Sequence, residues 1–149
     1  MNHIYIDADA CPVKNETYRV AERNKVPVTL VANSWMRTPN SSEIDLKIVG
    51  DEPDAADNWI TETVKPDDIV ITTDIPLADR CIKAGAAVLT PFGKQYTEDS
   101  IGGALAMRNL RSELRESGII SGGPPPFSRR DRSRFLQKLE ELIRTVQRR

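Results

Sequence analysis

The 149-residue chain predicts one α/β domain: a mostly parallel sheet of about five strands, helices on both its faces, and a helical, basic C-terminal extension. Three observations predict it. Two short apolar runs, residues 3–7 and 68–74, each end in an acid and are each followed by a proline placed to open a helix, Pro12 and Pro76. Strand and helix patterns alternate up to about residue 95, which bounds the α/β core at 1–95. Beyond it, residues 96–149 read as two long helical stretches joined by a Gly/Pro connector at 122–127.

The first strand, residues 3–7, is apolar until Asp7 closes it, and the helix behind Pro12 takes its buried side from Tyr18, Val20 and Ala21. Residues 26–32 are rich in β-branched side chains and are closed by Asn33 and Ser34, so they predict a second strand. After a polar loop at 37–42, residues 44–49 alternate apolar with polar and stop at Gly50, the pattern of an outer strand with one face in water. Ala56, Trp59, Ile60 and Val64 recur at helical spacing, and Pro66 forces that helix to end. Residues 68–74 form the fourth strand, and residues 86–90, set off by Gly85 and Pro91, form a short fifth. Thr97 is placed to cap a helix over 98–116, weakened early by Gly102 and Gly103 and ended by Gly118. Ser128 caps a last helix to about residue 147, whose stripe of Phe135, Leu136, Leu139, Leu142, Ile143 and Val146 is core packing.

Composition excludes several classes. At this length a core forms without disulfides or a structural metal, and Cys11 and Cys81 lie too far apart in sequence for a zinc ribbon, so both are expected as reduced thiols. No apolar run approaches a membrane span, and Asp7 interrupts the N-terminal run before it could serve as a secretory signal, so the expected compartment is the cytoplasm and no membrane partner is expected. The net charge of -1 hides an asymmetry. Residues 1–99 hold 10 basic against 17 acidic side chains, and residues 100–149 hold 11 against 5, ten of the eleven being arginine. Arginine's planar fork suits phosphate, although a solvated helix surface would look the same.

In open α/β sheets, sites form outside the carboxyl ends of the strands, near the point where strand order reverses. Asp7 and Asp9 follow the first strand, Asp74 follows the fourth, Asp79 lies about one turn into the next helix, and Asp54 and Asp57 share a helix face at spacing i, i+3. Taken singly, such acids also suit helix starts, where the macrodipole favours negative charge, or the closing of a turn. Together at one edge they repel one another, and a hard divalent cation relieves that repulsion. Oxygen donors of this kind suit Mg²⁺ or Mn²⁺, with hydrolytic phosphoryl transfer as the matching reaction. His3, the only histidine, is expected to pack. Cys11, beside a helix start, could carry a lowered pKa and act as a nucleophile, but lacks a histidine to activate it. Trp35 could stack on a base, though an isolated aromatic is more often packing.

The stretches Asp7-Ala-Asp9-Ala-Cys11-Pro12-Val13-Lys14, Asp54-Ala-Ala-Asp57, Ile69-Val-Ile-Thr-Thr-Asp74 and Gly122-Gly-Pro-Pro-Pro-Phe127 through Asp131-Arg132 occur in order over almost the whole length. With them the chain resembles the YaiI/YqxD family of uncharacterised bacterial proteins, which is similar to the PIN-like nuclease superfamily. The resemblance implies a three-layer α/β/α, Rossmann-like fold and Mg²⁺ or Mn²⁺ held by a few acids. Carried over by residue, it places the first-strand acid at Asp7, the mid-chain helix acid at Asp57 with Asp54 beside it, the Thr-x-Asp acid at Asp74, and a fourth at Asp79. Asp9, the Cys11-Pro12 turn, the connector and the basic last helix depart from typical PIN domains.

The expected function is therefore metal-dependent phosphodiester hydrolysis, RNA being the expected partner, with Asp7, Asp9, Asp57 and Asp74 catalytic. Arg129, Arg130, Arg132 and Arg134 would meet phosphates. A homo-oligomer is compatible with this reading. Two alternatives stand beside it. Residues 4–9 resemble the Asp-x-Asp signature of haloacid dehalogenase-type phosphatases, with Asp7 as nucleophile, Asp9 as acid/base, and Ser34 and Lys65 as loosely placed partners. The other is a non-catalytic nucleic-acid-binding module carried by the arginine-rich end.

Overall fold

The computed structural model describes residues 2–9, 11–119 and 126–148. In chain order it contains β1 (Ile4–Asp7), α1 (Lys14–Asn24), β2 (Val28–Ala32), β3 (Ile44–Ile48), α2 (Ala55–Thr63), β4 (Ile69–Ile71), α3 (Ile75–Lys83), β5 (Ala87–Leu89), β6 (Gln95–Tyr96), α4 (Glu98–Glu116) and α5 (Arg129–Gln147). The strands form one sheet in the order β3-β2-β1-β4-β5-β6, parallel except for β6, which runs antiparallel to β5. The strand order reverses between β1 and β4, where a crevice opens at the carboxyl edge.

Alternation along the strands sorts the core into two layers. Ile4, Ile6, Leu30, Ile69, Ile71 and Leu89 face α1 and α5, while Tyr5, Val31, Val70 and Val88 face α2, α3 and α4. This is the expected three-layer α/β/α arrangement. The same parity that buries Tyr5 under α2 and α3 carries Asp7 to their side of the sheet.

The last helix is one of the covering layers. Phe135, Leu139, Leu142, Ile143 and Val146 are buried against the sheet and α1, and Glu140 Oε2 accepts a hydrogen bond from Asn24 Nδ2 at 2.7 Å. Both expected caps form as reciprocal capping boxes, Thr97 with Ser100 and Ser128 with Asp131. Gly118, at φ 77°, ends α4 with the Ile119 N–H bonded back to the Leu114 carbonyl at 2.9 Å. Of the connector read at 122–127, residues 122–125 lie outside the described residues.

The sixth strand was not visible in the pattern, because two residues carry no period. It forms through a turn in which the Thr90 N–H donates to the Lys94 carbonyl at 2.8 Å and Gly93 sits at φ 85°. A Cβ on Gly93 would stand 2.7 Å from the Arg134 Cβ, so this turn lies directly on α5. Among the described residues no helix is long and apolar enough to cross a membrane.

Candidate active site

Asp7 is the last residue of β1, and β1 and β4 run in register through the pair Ile6 and Ile71. The next residue on each strand therefore meets its neighbour across the crevice. Thr72 Oγ1 donates to Asp7 Oδ2 at 2.9 Å and accepts the Asp74 backbone N–H at 3.0 Å. Asp74 in turn caps α3, its Oδ1 accepting the Leu77 N–H at 3.0 Å, with Pro76 in the first turn as expected. A buried threonine thus ties both acids to one floor.

Above that floor lies an open cavity of about 430 Å³, lined by Asp7, Asp9, Asp57, Asp74, Thr73 and Arg108 among others. Asp57 reaches it from the first turn of α2 and Asp9 from the exposed turn after β1. Four of the six acids expected to hold metal are therefore brought together. The other two are not. Asp54 stands exposed at the start of α2 with no side-chain cap bond, and Asp79 pairs with Lys83 at 2.9 Å on α3.

Negative charge is concentrated here, with four carboxylates against Arg108 among the residues lining the cavity. Burial, then Asp74, Asp7 and Asp54, push the Asp57 carboxyl up to about 6, and Arg80 only partly offsets them. Burial also raises Asp7 above the ordinary carboxylate range, helped by Asp9 and Asp74 and opposed by the Thr72 hydrogen bond. Among the described residues no three His, Cys, Asp or Glu side chains stand tightly enough together to enclose an ion as placed. The arrangement gathers the acids around an open space and does not close on it.

The arginines expected to meet phosphate do not line this cavity, though Arg132 lies 5.6 Å over the Phe127 ring. Arg129, Arg130, Arg132 and Arg134 are exposed in the first turns of α5, at the same edge of the sheet but over its other face. Arg132 pairs with Glu16 at 3.4 Å and Arg134 with Asp131 at 3.9 Å. The cation on the acidic cavity is Arg108 of α4, which the sequence reading did not single out. Its signal was there: Arg108, Arg111 and Arg115 recur at i, i+3, i+7 on one helix face.

Three further expectations meet the structure here. Cys11 is buried and free, and burial raises its thiol instead of lowering it, since desolvation outweighs Lys14 and the nearby helix start. Trp35 does not pack; it is 73% exposed in the loop after β2. Lys65 precedes β4 and so sits at the amino edge of the sheet, across the strand length from Asp7. It is badly placed to serve a phosphatase at Asp7.

Residues 5–145 match the family described as "Uncharacterized BCR, YaiI/YqxD family". A relative from Rhodopseudomonas palustris strain TIE-1, called UPF0178 protein, is 56% identical over 149 residues, which is 100% of this chain and 94% of the relative. Others from Bradyrhizobium diazoefficiens and Nitrobacter winogradskyi are each 54% identical, covering 98% and 97% of this chain and 87% and 92% of their own. No solved structure matches the chain.

Proposed function

The chain belongs to the YaiI/YqxD family of uncharacterised bacterial proteins, and from that premise we propose that it is a divalent-metal-dependent phosphodiesterase acting on RNA. The observation that carries this reading is the meeting of Asp7, Asp9, Asp57 and Asp74 on one cavity where strand order reverses, with Arg108 on the same wall.

The residues fit Mg²⁺ or Mn²⁺ by donor chemistry. All are hard oxygens, and burial, with the neighbouring carboxylates adding to it, raises the Asp57 and Asp7 carboxyls, a cost that a cation would relieve. Such ions keep several waters and need only one or two protein carboxylates, so Asp7 and Asp74 would be enough to hold one beside a substrate phosphate. When bound, the ion supplies a polarised phosphoryl oxygen and an acidified water. The chain's own residues supply the rest. Thr72 orients Asp7 through its Oδ2, the α3 cap fixes Asp74, and Arg108 holds a phosphate against the acids.

Calorimetry with Mg²⁺ and Mn²⁺, alongside cleavage of labelled RNA, tests this. Wild-type protein is expected to bind an ion and cut RNA, and Asp7→Asn and Asp74→Asn to abolish cleavage. Absence of ion binding, together with cleavage indifferent to both substitutions, refutes it.

A further inference from the structure

The acidic cavity is one end of a longer trough. It shares Ile75 and Arg108 with a second cavity of about 510 Å³ along α4, and Thr73 with a third of about 670 Å³. The second and third share Lys94, Tyr96 and Arg111. The three therefore run into one another. Their chemistry changes along the way, from carboxylates, through a stripe of Arg108, Arg111 and Arg115, to an apolar end walled by Phe92, Tyr96 and Phe127.

Two details bear on what this trough can hold. Among the described residues the three arginines of the stripe make no ion pair, which is true of several other arginines as well, but these three line the same connected cavities as the acids and the aromatic walls. Phe92 and Phe127 pack at 5.7 Å between ring centres, and each stays partly exposed to the cavity. Lys94 lies 5.3 Å over the Tyr96 ring, placing a cation at the rim of the aromatic end.

We propose that the third cavity is a nucleobase subsite for a single-stranded nucleic acid, the base entering among Phe92, Tyr96 and Phe127 and the adjoining phosphates resting on Lys94 and Arg111. Unpaired cations match phosphate charge, and aromatic walls match a base face, which a duplex keeps stacked and out of reach. Phe127, the last residue of the connector, and Pro12, in the turn after β1, both line this pocket. The proposal rests on the phosphodiesterase reading for its substrate, because the trough delivers the next phosphodiester to the acids.

Binding is measured by anisotropy of fluorescein-labelled oligouridylate and its DNA counterpart in EDTA, which separates binding from turnover. An abasic strand and a duplex serve as comparisons, with Phe92→Leu, Phe92→Ala and the exposed Arg111→Gln as variants. Circular dichroism confirms that each variant is folded. Base removal and Phe92→Ala are each expected to weaken single-strand binding about tenfold or more, with Phe92→Leu in between. Arg111→Gln is expected to lower the salt slope by about 1. Equal affinity for abasic and intact strands, or for duplex and single strand, overturns the subsite, as does a folded Phe92→Ala that binds like wild type. Phe92-dependent binding without metal-dependent cleavage leaves the subsite standing and removes the nuclease. Cleavage indifferent to Phe92 and Arg111 does the reverse.

Discussion

Burial first, and its acidic neighbours next, disfavour the charged form of Asp57, and its titration gives that a sign. Its folded value of about 6 lies above the ordinary 3.8, so the fold holds the proton more tightly than the unfolded chain does. That stability is complete below 3.8 and is lost as pH rises through about 6. In EDTA, Asp57→Asn is therefore expected to melt higher than wild type at neutral pH and close to it near pH 4, and excess Mg²⁺ should narrow the gap. Equal melting at both pH values would contradict the crowding of charge. Asp68, at the opposite edge, shows what a satisfied acid looks like: it is buried, with its oxygens accepting the His3 N–H at 3.1 Å and the Lys65 N–H at 2.9 Å. Thr72→Val removes a donor from Asp7 and an acceptor from Asp74, and is expected to cost about 1–3 kcal/mol in urea unfolding. The acids were legible because carboxylates closing apolar runs stand out in a sequence. Nothing in the sequence marks Thr72 as more than a residue near an acid, since its bond to Asp7 depends on strand register.

At the scale of elements, nearly all of the helices and strands were legible, because each had a period, a cap or a proline at its boundary. β3 was read as an outer strand from alternation alone, and it is the edge of the sheet. What escaped was short or depended on packing. The Gln95–Tyr96 strand exists because Gly93 lets the chain turn back against α5. Gly93→Ala is expected to cost at least about 1 kcal/mol, since it adds both an unfavourable positive φ and a Cβ 2.7 Å from that of Arg134. Urea unfolding reads this directly. Phe135→Ala, at a fully buried site between α5 and the sheet, is expected to cost about 3–5 kcal/mol.

Across the whole molecule, the division of charge along the chain was legible and its layout in space was not. The sequence pointed to the last helix as the phosphate-binding element because most of its first residues are arginine. The fold gives that helix's apolar stripe a structural duty over one face of the sheet and brings α4 to the acids instead. Cutting the chain before residue 126 is accordingly expected to yield an unfolded product by circular dichroism, not a folded core lacking an accessory arm. The parity of β1 sets a different kind of limit. One residue gained or lost between Ile4 and Asp7 would rotate the terminal carboxylate beneath α1 and α5, drive an isoleucine toward the crevice, and break the bond to Thr72. During divergence, substitutions along this strand are open to gradual trial, whereas an insertion or deletion within it would sacrifice core and site in a single event.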